Sequence, residues 1–171
     1  MVLRRTIPAT ASVVKKMNGD RLHSPAAAKN VGHITELVCS VSPKNGTALE
    51  IASGTGQHII KLAAVISNLT WQPSDIDTAR LNSIVSWSFE KQLPNLLPPI
   101  KLDVTDEGWS ALCPNQDLIL LVNLLHLVSE SEAKVIIDGI SKSLMPGGRC
   151  VIYGPFMRDG FLTSDGDKCF H

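Results

Sequence analysis

The chain has 171 residues, of which 44% are hydrophobic and 19% are charged. This length and composition predict one globular domain rather than a disordered or fibrous protein. Basic and acidic residues are equal in number, and the formal net charge of zero argues against direct binding of nucleic acid. The longest apolar run, Leu118 to Val128, is interrupted by Asn123 and His126 and is too short to span a bilayer, which argues against a membrane protein.

The amino terminus is basic, because two arginines and two lysines precede the first acidic residue, Asp20. Such a segment is typical of a flexible tail and also of a mitochondrial transit peptide. We predict a flexible tail over residues 1–20 and a cytoplasmic protein, with a mitochondrial location as the alternative. The cysteines are widely spaced, without a Cys-x-x-Cys pair or a neighbouring histidine pair, so we predict no metal site and no disulfide framework: Cys39, Cys113, Cys150 and Cys169.

Stretches with helical apolar spacing alternate along the chain with short apolar runs that predict strands. The helices have recognisable starts, since Ser24 and Pro25 suit the first one, and Ser129 with Glu132 forms a capping box before the last. Pro73 places the second strand near a sheet edge or a strand end. The predicted helices cover residues 22–41, 57–67, 78–91 and 129–144, and the predicted strands cover residues 47–52, 69–74, 100–104, 117–122 and 149–153.

The alternation of strands and helices, repeated five times, specifies a parallel sheet. The continuous apolar run DLILLV, Asp117 to Val122, is typical of a central strand buried on both faces. We therefore predict an α/β fold, a Rossmann-like doubly wound and mostly parallel sheet with helices on both faces, shortened after the fifth strand. The domain is expected to cover residues 21–156, and residues 157–171 are expected to form an irregular carboxyl-terminal tail.

The stretch LEIASGTGQH, Leu49 to His58, predicts the end of a buried strand, a tight turn and the first turn of a helix. Gly54 and Gly56 permit positive φ and allow the backbone to approach a ligand, while free N–H groups at the helix start suit a nucleotide-like or nucleoside-like ligand. Only the first two glycines of the dinucleotide fingerprint are present, because Ile59 occupies the third position. This spacing disfavours an NAD-dependent oxidoreductase.

Further motifs follow in order, and together they resemble those of class I S-adenosylmethionine-dependent methyltransferases. They are LEIASGTG, then Asp75, LDV with Asp103, DLILLVNLLH and LMPGG, and the resemblance covers about residues 48–155. Over residues 21–160 the chain also resembles a small methyltransferase-like branch, through RLHSPAAAKN, ASGTGQH, WQPSDID, LDVT and YGPFMRDG. The usual first glycine of the family's loop is Ala52 in this chain.

The resemblance implies that S-adenosylmethionine is the cofactor. Asp75 would accept hydrogen bonds from both ribose hydroxyls, and Asp103 would accept one from the adenine amino group beside Val104. Asn123 and His126 would lie near the transferred methyl group and are the predicted catalytic residues. The complete set of implied cofactor-binding residues is Glu50, Ala52, Ser53, Gly54, Thr55, Gly56, Asp75, Ile76, Asp103, Val104 and Asn123.

Structural interpretations stand beside these functional ones. Asp75 could cap the following helix, Asp103 could be a turn residue, and His126 could be a hydrogen-bonded structural residue. We predict methyl transfer to an acceptor that is a small molecule. The alternative is a non-catalytic protein of methyltransferase fold that binds partners, or forms oligomers, through an uncovered sheet edge.

Overall fold

A five-stranded parallel sheet forms the centre of the computed structural model, which describes residues 14–157 and 159–161. A separate two-stranded antiparallel sheet precedes it. The order of strands in the large sheet is β5-β4-β3-β6-β7, and every neighbouring pair is parallel. The strands are β1 (Lys15–Lys16), β2 (Leu22–His23), β3 (Gly46–Ile51), β4 (Leu69–Asp75), β5 (Ile100–Lys101), β6 (Gln116–Val122) and β7 (Leu144–Tyr153).

Four α-helices connect or precede these strands, and their starts are defined by side-chain caps. The Ser24 hydroxyl accepts from the N–H of Ala27, and Ser129 and Glu132 form the predicted capping box. Between β5 and β6 the chain forms only a short 3-10 helix, Trp109–Leu112, so the predicted fivefold alternation contains four α-helices. The helices are α1 (Pro25–Val41), α2 (Gln57–Val65), α3 (Thr78–Lys91) and α4 (Glu130–Ser143).

Two apolar layers cover the two faces of the large sheet. The layer that contains Ile34, Ile59 and Ile84 packs α1, α2 and α3 against one face, and the layer that contains Ile136 packs α4 against the other. Alternate residues of β6 enter opposite layers, and all four from Leu118 to Leu121 are fully buried. This arrangement confirms the predicted α/β, Rossmann-like parallel sheet with helices on both faces.

Strand boundaries differ from the prediction mainly in β7. Its first residue is Leu144, five positions before the predicted start, and its pairing with β6 is irregular between Gln116 and Leu118. The LMPGG segment therefore leads directly from α4 into the edge strand. Pro73 lies opposite Glu50, two residues before the end of β4, which is an interior strand.

Part of the predicted flexible tail is paired in the structure. Lys15 and Lys16 pair with His23 and Leu22 in an antiparallel hairpin, so residues 14–20 belong to an ordered segment. The remainder of the predicted tail, residues 1–13, lies outside the described residues. The same holds for most of the predicted carboxyl-terminal tail, of which only Met157 and residues 159–161 are described.

Candidate functional site

The turn between β3 and α2 in the candidate site contains two glycines with positive φ. Gly54 and Gly56 have φ angles of 58° and 90°, in the left-handed region that glycine tolerates. A Cβ atom added at Gly56 would lie 3.1 Å from a side-chain carbon of Ile84 on α3. The two glycines are therefore needed for the backbone path, and Gly56 also for the close approach of α3.

Ser53 fixes this turn to the neighbouring strand. Its N–H donates to the carbonyl oxygen of Ser74 at 2.7 Å, and its hydroxyl accepts from the N–H of Ser74 at 3.2 Å. The hydroxyl also donates to the carbonyl oxygen of Glu50 at 3.2 Å. These three bonds hold the glycine loop, residues 52–56, against the carboxyl end of β4.

Ala52 is strained at the start of the glycine loop. Its φ angle is 52°, although alanine has a Cβ atom that disfavours the left-handed region. The resemblance identified this position as a glycine in related loops, and the backbone retains the conformation that glycine would adopt. Ala52 therefore carries a conformational cost of about 1–2 kcal/mol that the surrounding contacts must offset.

Glu50 places a buried carboxyl beneath the glycine loop. Its side chain is 1% exposed, and its Oε2 atom has no hydrogen-bond partner among the described residues. Burial raises the pKa of Glu50 from 4.5 to about 8, and the nearby charge of Asp75 adds to this rise while Ser53 partly opposes it. Glu50 is therefore mainly protonated at neutral pH in the folded protein.

Asp75 ends β4 beside the same loop and is 2% exposed. Its Oδ2 atom accepts from the N–H of Gly54 at 2.8 Å, and its Oδ1 atom accepts from the N–H of Asp77 at 3.0 Å. The side chain that caps α3 is Asp77, which accepts from the N–H of Arg80, so Asp75 is not the cap. A carboxylate offers about four lone pairs, and Asp75 uses two of them for these backbone groups.

Asp103 and Val104 follow β5 and lie in a turn. The Oδ1 atom of Asp103 accepts from the N–H of Thr105 at 2.9 Å and from its hydroxyl at 2.6 Å. Val104 is 6% exposed and belongs to the apolar layer beside α4. Ile76, which follows Asp75, is 50% exposed. Asp103 therefore forms the hydrogen bonds expected of a turn residue, and its role in adenine binding stays a prediction.

The two predicted catalytic residues occupy different surroundings after β6. Asn123 has a φ angle of 54°, which asparagine adopts more readily than most residues, and its N–H donates to the carbonyl oxygen of Tyr153 at 2.8 Å. His126 lies in a short 3-10 helix, Leu125–Leu127, and is half-buried. Asn123 lines the cleft described next, whereas His126 is not among its lining residues.

An open cleft brings the glycine loop together with the end of β6 and with the amino-terminal segment. Its walls include Ala52, Asn123 and three residues that the sequence interpretation did not select, His58, Arg80 and Ser24. Of the predicted cofactor-binding residues, six are not among its lining residues: Glu50, Gly56, Asp75, Ile76, Asp103 and Val104. The complete lining is Val14, Ser24, Ala26, Ala27, Ala52, Ser53, Gly54, Thr55, His58, Arg80, Val122, Asn123, Leu124 and Leu127.

His58 is the most distinctive of these additional residues. It is 7% exposed, and its Nε2 atom lies 2.8 Å from Oδ1 of Asn30 on α1. Burial lowers the pKa of His58 from 6.5 to about 4, so the imidazole is neutral at neutral pH. The sequence does indicate that His58 lies near the site, because it belongs to the first turn of α2, which follows the glycine loop. No pattern in the sequence indicated Asn30 as its partner.

Residues 14–157 and 159–161 lack the features of a metal site and of a membrane span. This part of the chain holds no group of three or more histidine, cysteine, aspartate and glutamate side chains that could bind a metal ion. It also holds no helix with the length and apolar character needed to cross a membrane. Cys39, Cys113 and Cys150 are free thiols, and Cys169 lies outside the described residues.

Solved structures with the same architecture define the class of this fold. An O-methyltransferase family protein from Burkholderia thailandensis matches with a TM-score of 0.66 and 18% identity, over 78% of this chain and 40% of its own. Coclaurine N-methyltransferase bound to N-methylheliamine and S-adenosylhomocysteine matches with a TM-score of 0.61 and 16% identity, over 81% and 38%. The glycopeptide N-methyltransferase MtfA, complexed with S-adenosylmethionine, matches with a TM-score of 0.62 and 14% identity, over 72% and 53%.

The chain therefore shares its fold with these solved methyltransferases. The chain spans about 40–50% of the length of these three proteins. It belongs to the family described as "Protein of unknown function (DUF938)", whose match covers residues 21–171.

Proposed function

We propose that the chain binds S-adenosylmethionine at the carboxyl ends of β3, β4 and β6 and transfers its methyl group to a small-molecule acceptor. The observation that carries the proposal is the glycine loop with two buried carboxyls beneath it, Glu50 and Asp75. Open α/β sheets bind ligands at this end of their strands. The neutral overall charge favours a small acceptor over nucleic acid.

The residues present fit the cofactor in two respects. The buried Oε2 atom of Glu50 lacks a hydrogen-bond partner within the described chain, as expected of a group that a bound ligand satisfies. Asp75 retains two lone pairs after its bonds to Gly54 and Asp77, and two ribose hydroxyls would use them. Both carboxyls are nearly inaccessible to solvent, so binding requires a local opening of the glycine loop.

The predicted site residues then divide by role. Glu50 and the loop from Ala52 to Gly56 hold the methionine part of the cofactor, Asp75 with Ile76 holds the ribose, and Asp103 with Val104 holds the adenine. Asn123 lies at the end of β6, beside the loop, and with His126 it orients the acceptor. The bound cofactor supplies an activated methyl group, so the protein contributes mainly alignment and exclusion of water.

Calorimetric titration of the full chain with S-adenosylhomocysteine tests the cofactor site. Micromolar binding is expected, and Asp75→Asn is expected to weaken it at least about tenfold, since it removes a charged acceptor. Asp77→Asn is the matched control, because it changes a neighbouring carboxyl that caps α3 but does not belong to the proposed site. A folded wild-type chain that binds no S-adenosylhomocysteine would refute the proposal.

Turnover is tested separately once binding is established. A screen of small-molecule acceptors would follow the formation of S-adenosylhomocysteine from S-adenosylmethionine. For an acceptor found in this way, His126→Ala is expected to lower turnover without a change in cofactor affinity. Unchanged turnover in that variant would remove His126 from the catalytic residues.

A further inference from the structure

The segment from Val14 to Ser24, here called the strap, reaches the cleft at both of its ends. Val14 and Ser24, at its two ends, line the cleft together with residues of the glycine loop. Between them the chain turns back on itself through β1 and β2, and the N–H of Met17 donates to the carbonyl oxygen of Arg21 at 2.8 Å. The strap is thus a small hairpin whose ends both reach the candidate site.

The strap is anchored to α3 by polar contacts. Both backbone groups of Leu22 are used, since its N–H donates to the Ser83 hydroxyl at 2.9 Å and its carbonyl accepts from the Trp87 indole at 3.2 Å. Arg21 forms an ion pair with Glu90 and lies 5.2 Å from the centre of the Trp87 ring. These contacts fix the hairpin to the side of α3 that faces the glycine loop.

Two side chains connect the strap to a single residue of the glycine loop, Thr55. The Oε1 atom of Gln57 accepts from the N–H of Ser24 at 2.5 Å and from the Thr55 hydroxyl at 2.9 Å. The Ser83 hydroxyl accepts from Leu22 and donates to the carbonyl oxygen of Thr55 at 2.9 Å. Thr55 is therefore held through its side chain and its backbone, in both cases by a group that also holds the strap.

This double connection has an energetic consequence. Ser83 is fully buried and Thr55 is 5% exposed, so a bond that breaks at either residue leaves a polar group without water nearby. Opening the glycine loop thus weakens the attachment of the strap, and release of the strap loosens Thr55. Since the ends of the strap and the glycine loop line the same cleft, binding of a ligand there is linked to the position of both.

We propose that Gln57 and Ser83 are positioning residues that couple closure of the strap over the cleft to the binding-competent conformation of the glycine loop. This inference rests on the proposed function for its ligand, but the hydrogen bonds that carry the coupling involve only groups of this chain. Neither residue touches the cofactor in this scheme. They act on Thr55 and on the strap.

Hydrogen-exchange mass spectrometry on the full chain tests the coupling without ligand. In Gln57→Leu combined with Ser83→Ala, exchange is expected to rise in residues 14–24 and in residues 53–56 together, with α4 unchanged. Gln57→Glu provides the rescue, because it keeps an acceptor oxygen at the helix start, where a negative charge is also favourable. Gln72→Leu is the matched control, since the Gln72 amide bonds to Pro73 and Pro98 away from the strap.

S-adenosylhomocysteine then provides the linked readout. It is expected to slow exchange of residues 14–24 in the wild type and not in the double variant, whose affinity falls about tenfold. Failure of the wild type to bind S-adenosylhomocysteine would refute the proposed function, and the ligand-free comparison would still decide the coupling. Equal exchange of the strap in the wild type and the double variant would overturn the inference, as would a Gln57→Glu variant whose strap exchanges as fast as that of the double variant.

Discussion

Replacing Glu50 with glutamine is expected to remove a fall in stability between pH 6.5 and pH 8. The pKa of Glu50 is about 8 in the folded protein and 4.5 in the unfolded chain, so between these values the folded state binds one proton more. The stabilising contribution of this raised pKa is complete below pH 4.5 and is lost as pH rises through about 8. The slope is about 1.4 kcal/mol per pH unit, which gives a loss of about 2 kcal/mol between pH 6.5 and pH 8.

Urea unfolding at half-unit steps over this interval measures the effect. Wild type should lose stability as pH rises, whereas Glu50→Gln, which cannot ionise, should be nearly constant. Glu36→Gln, at an exposed glutamate on α1, is the matched control and should retain the wild-type slope. A Glu50→Gln variant whose stability falls as steeply as that of the wild type would refute the assignment of the slope to this buried carboxyl.

Three further substitutions test the backbone strain, the packing and the electrostatics inferred from the structure. Ala52→Gly should raise the free energy of unfolding by about 0.5–1 kcal/mol, since relief of the left-handed strain exceeds the added chain entropy, and urea unfolding that shows a loss would contradict this. Gly139→Ala should lower it by about 1–3 kcal/mol in the same assay, because the new Cβ would lie 2.1 Å from the buried Trp109 indole nitrogen. Gly32→Ala, in open space on α1, should instead raise it by about 1 kcal/mol, and equal effects at the two glycines would exclude the proposed clash. As pH falls from 6.5 to about 4, His58→Gln should become more stable than the exposed His33→Gln variant by about 3 kcal/mol, and an equal pH dependence of the two variants would refute this.

The sequence predicted the fold because its signals are local and repeated. Apolar run length and helical spacing indicated the strands and helices of the large sheet, and the capping residues fixed the helix starts within a few residues. The hairpin of residues 14–24 was missed because β1 and β2 are two residues long. Its stability comes from distant side chains on α3, such as Ser83 and Trp87, which no local pattern reveals.

The candidate site was predictable to the extent that its residues follow strands. Ala52 to Thr55 and Asn123 were selected by position in the motifs, and all of them line the cleft. The pairing of His58 with Asn30 joins residues 28 positions apart, and the two links to Thr55 join the loop to α3 and to the strap. Contacts of this kind depend on how the helices pack, so sequence spacing carries no signal for them.

Glu50 and His58 have opposite effects on the way the free energy of unfolding changes with pH. Variants of these two residues can therefore be distinguished from variants of exposed groups. Between pH 4.5 and pH 6.5 the folded protein keeps a proton on Glu50 that the unfolded chain releases, and it lacks a proton on His58 that the unfolded chain binds. The two slopes, each about 1.4 kcal/mol per unit, cancel in the wild type. Relative to wild type, Glu50→Gln should therefore gain about 3 kcal/mol from pH 4.5 to pH 6.5, His58→Gln should lose as much, and the double variant should change little. If the free energy of unfolding of both single variants followed the wild-type dependence on pH, Glu50 would not be buried as a protonated carboxyl and His58 would not be buried as a neutral imidazole.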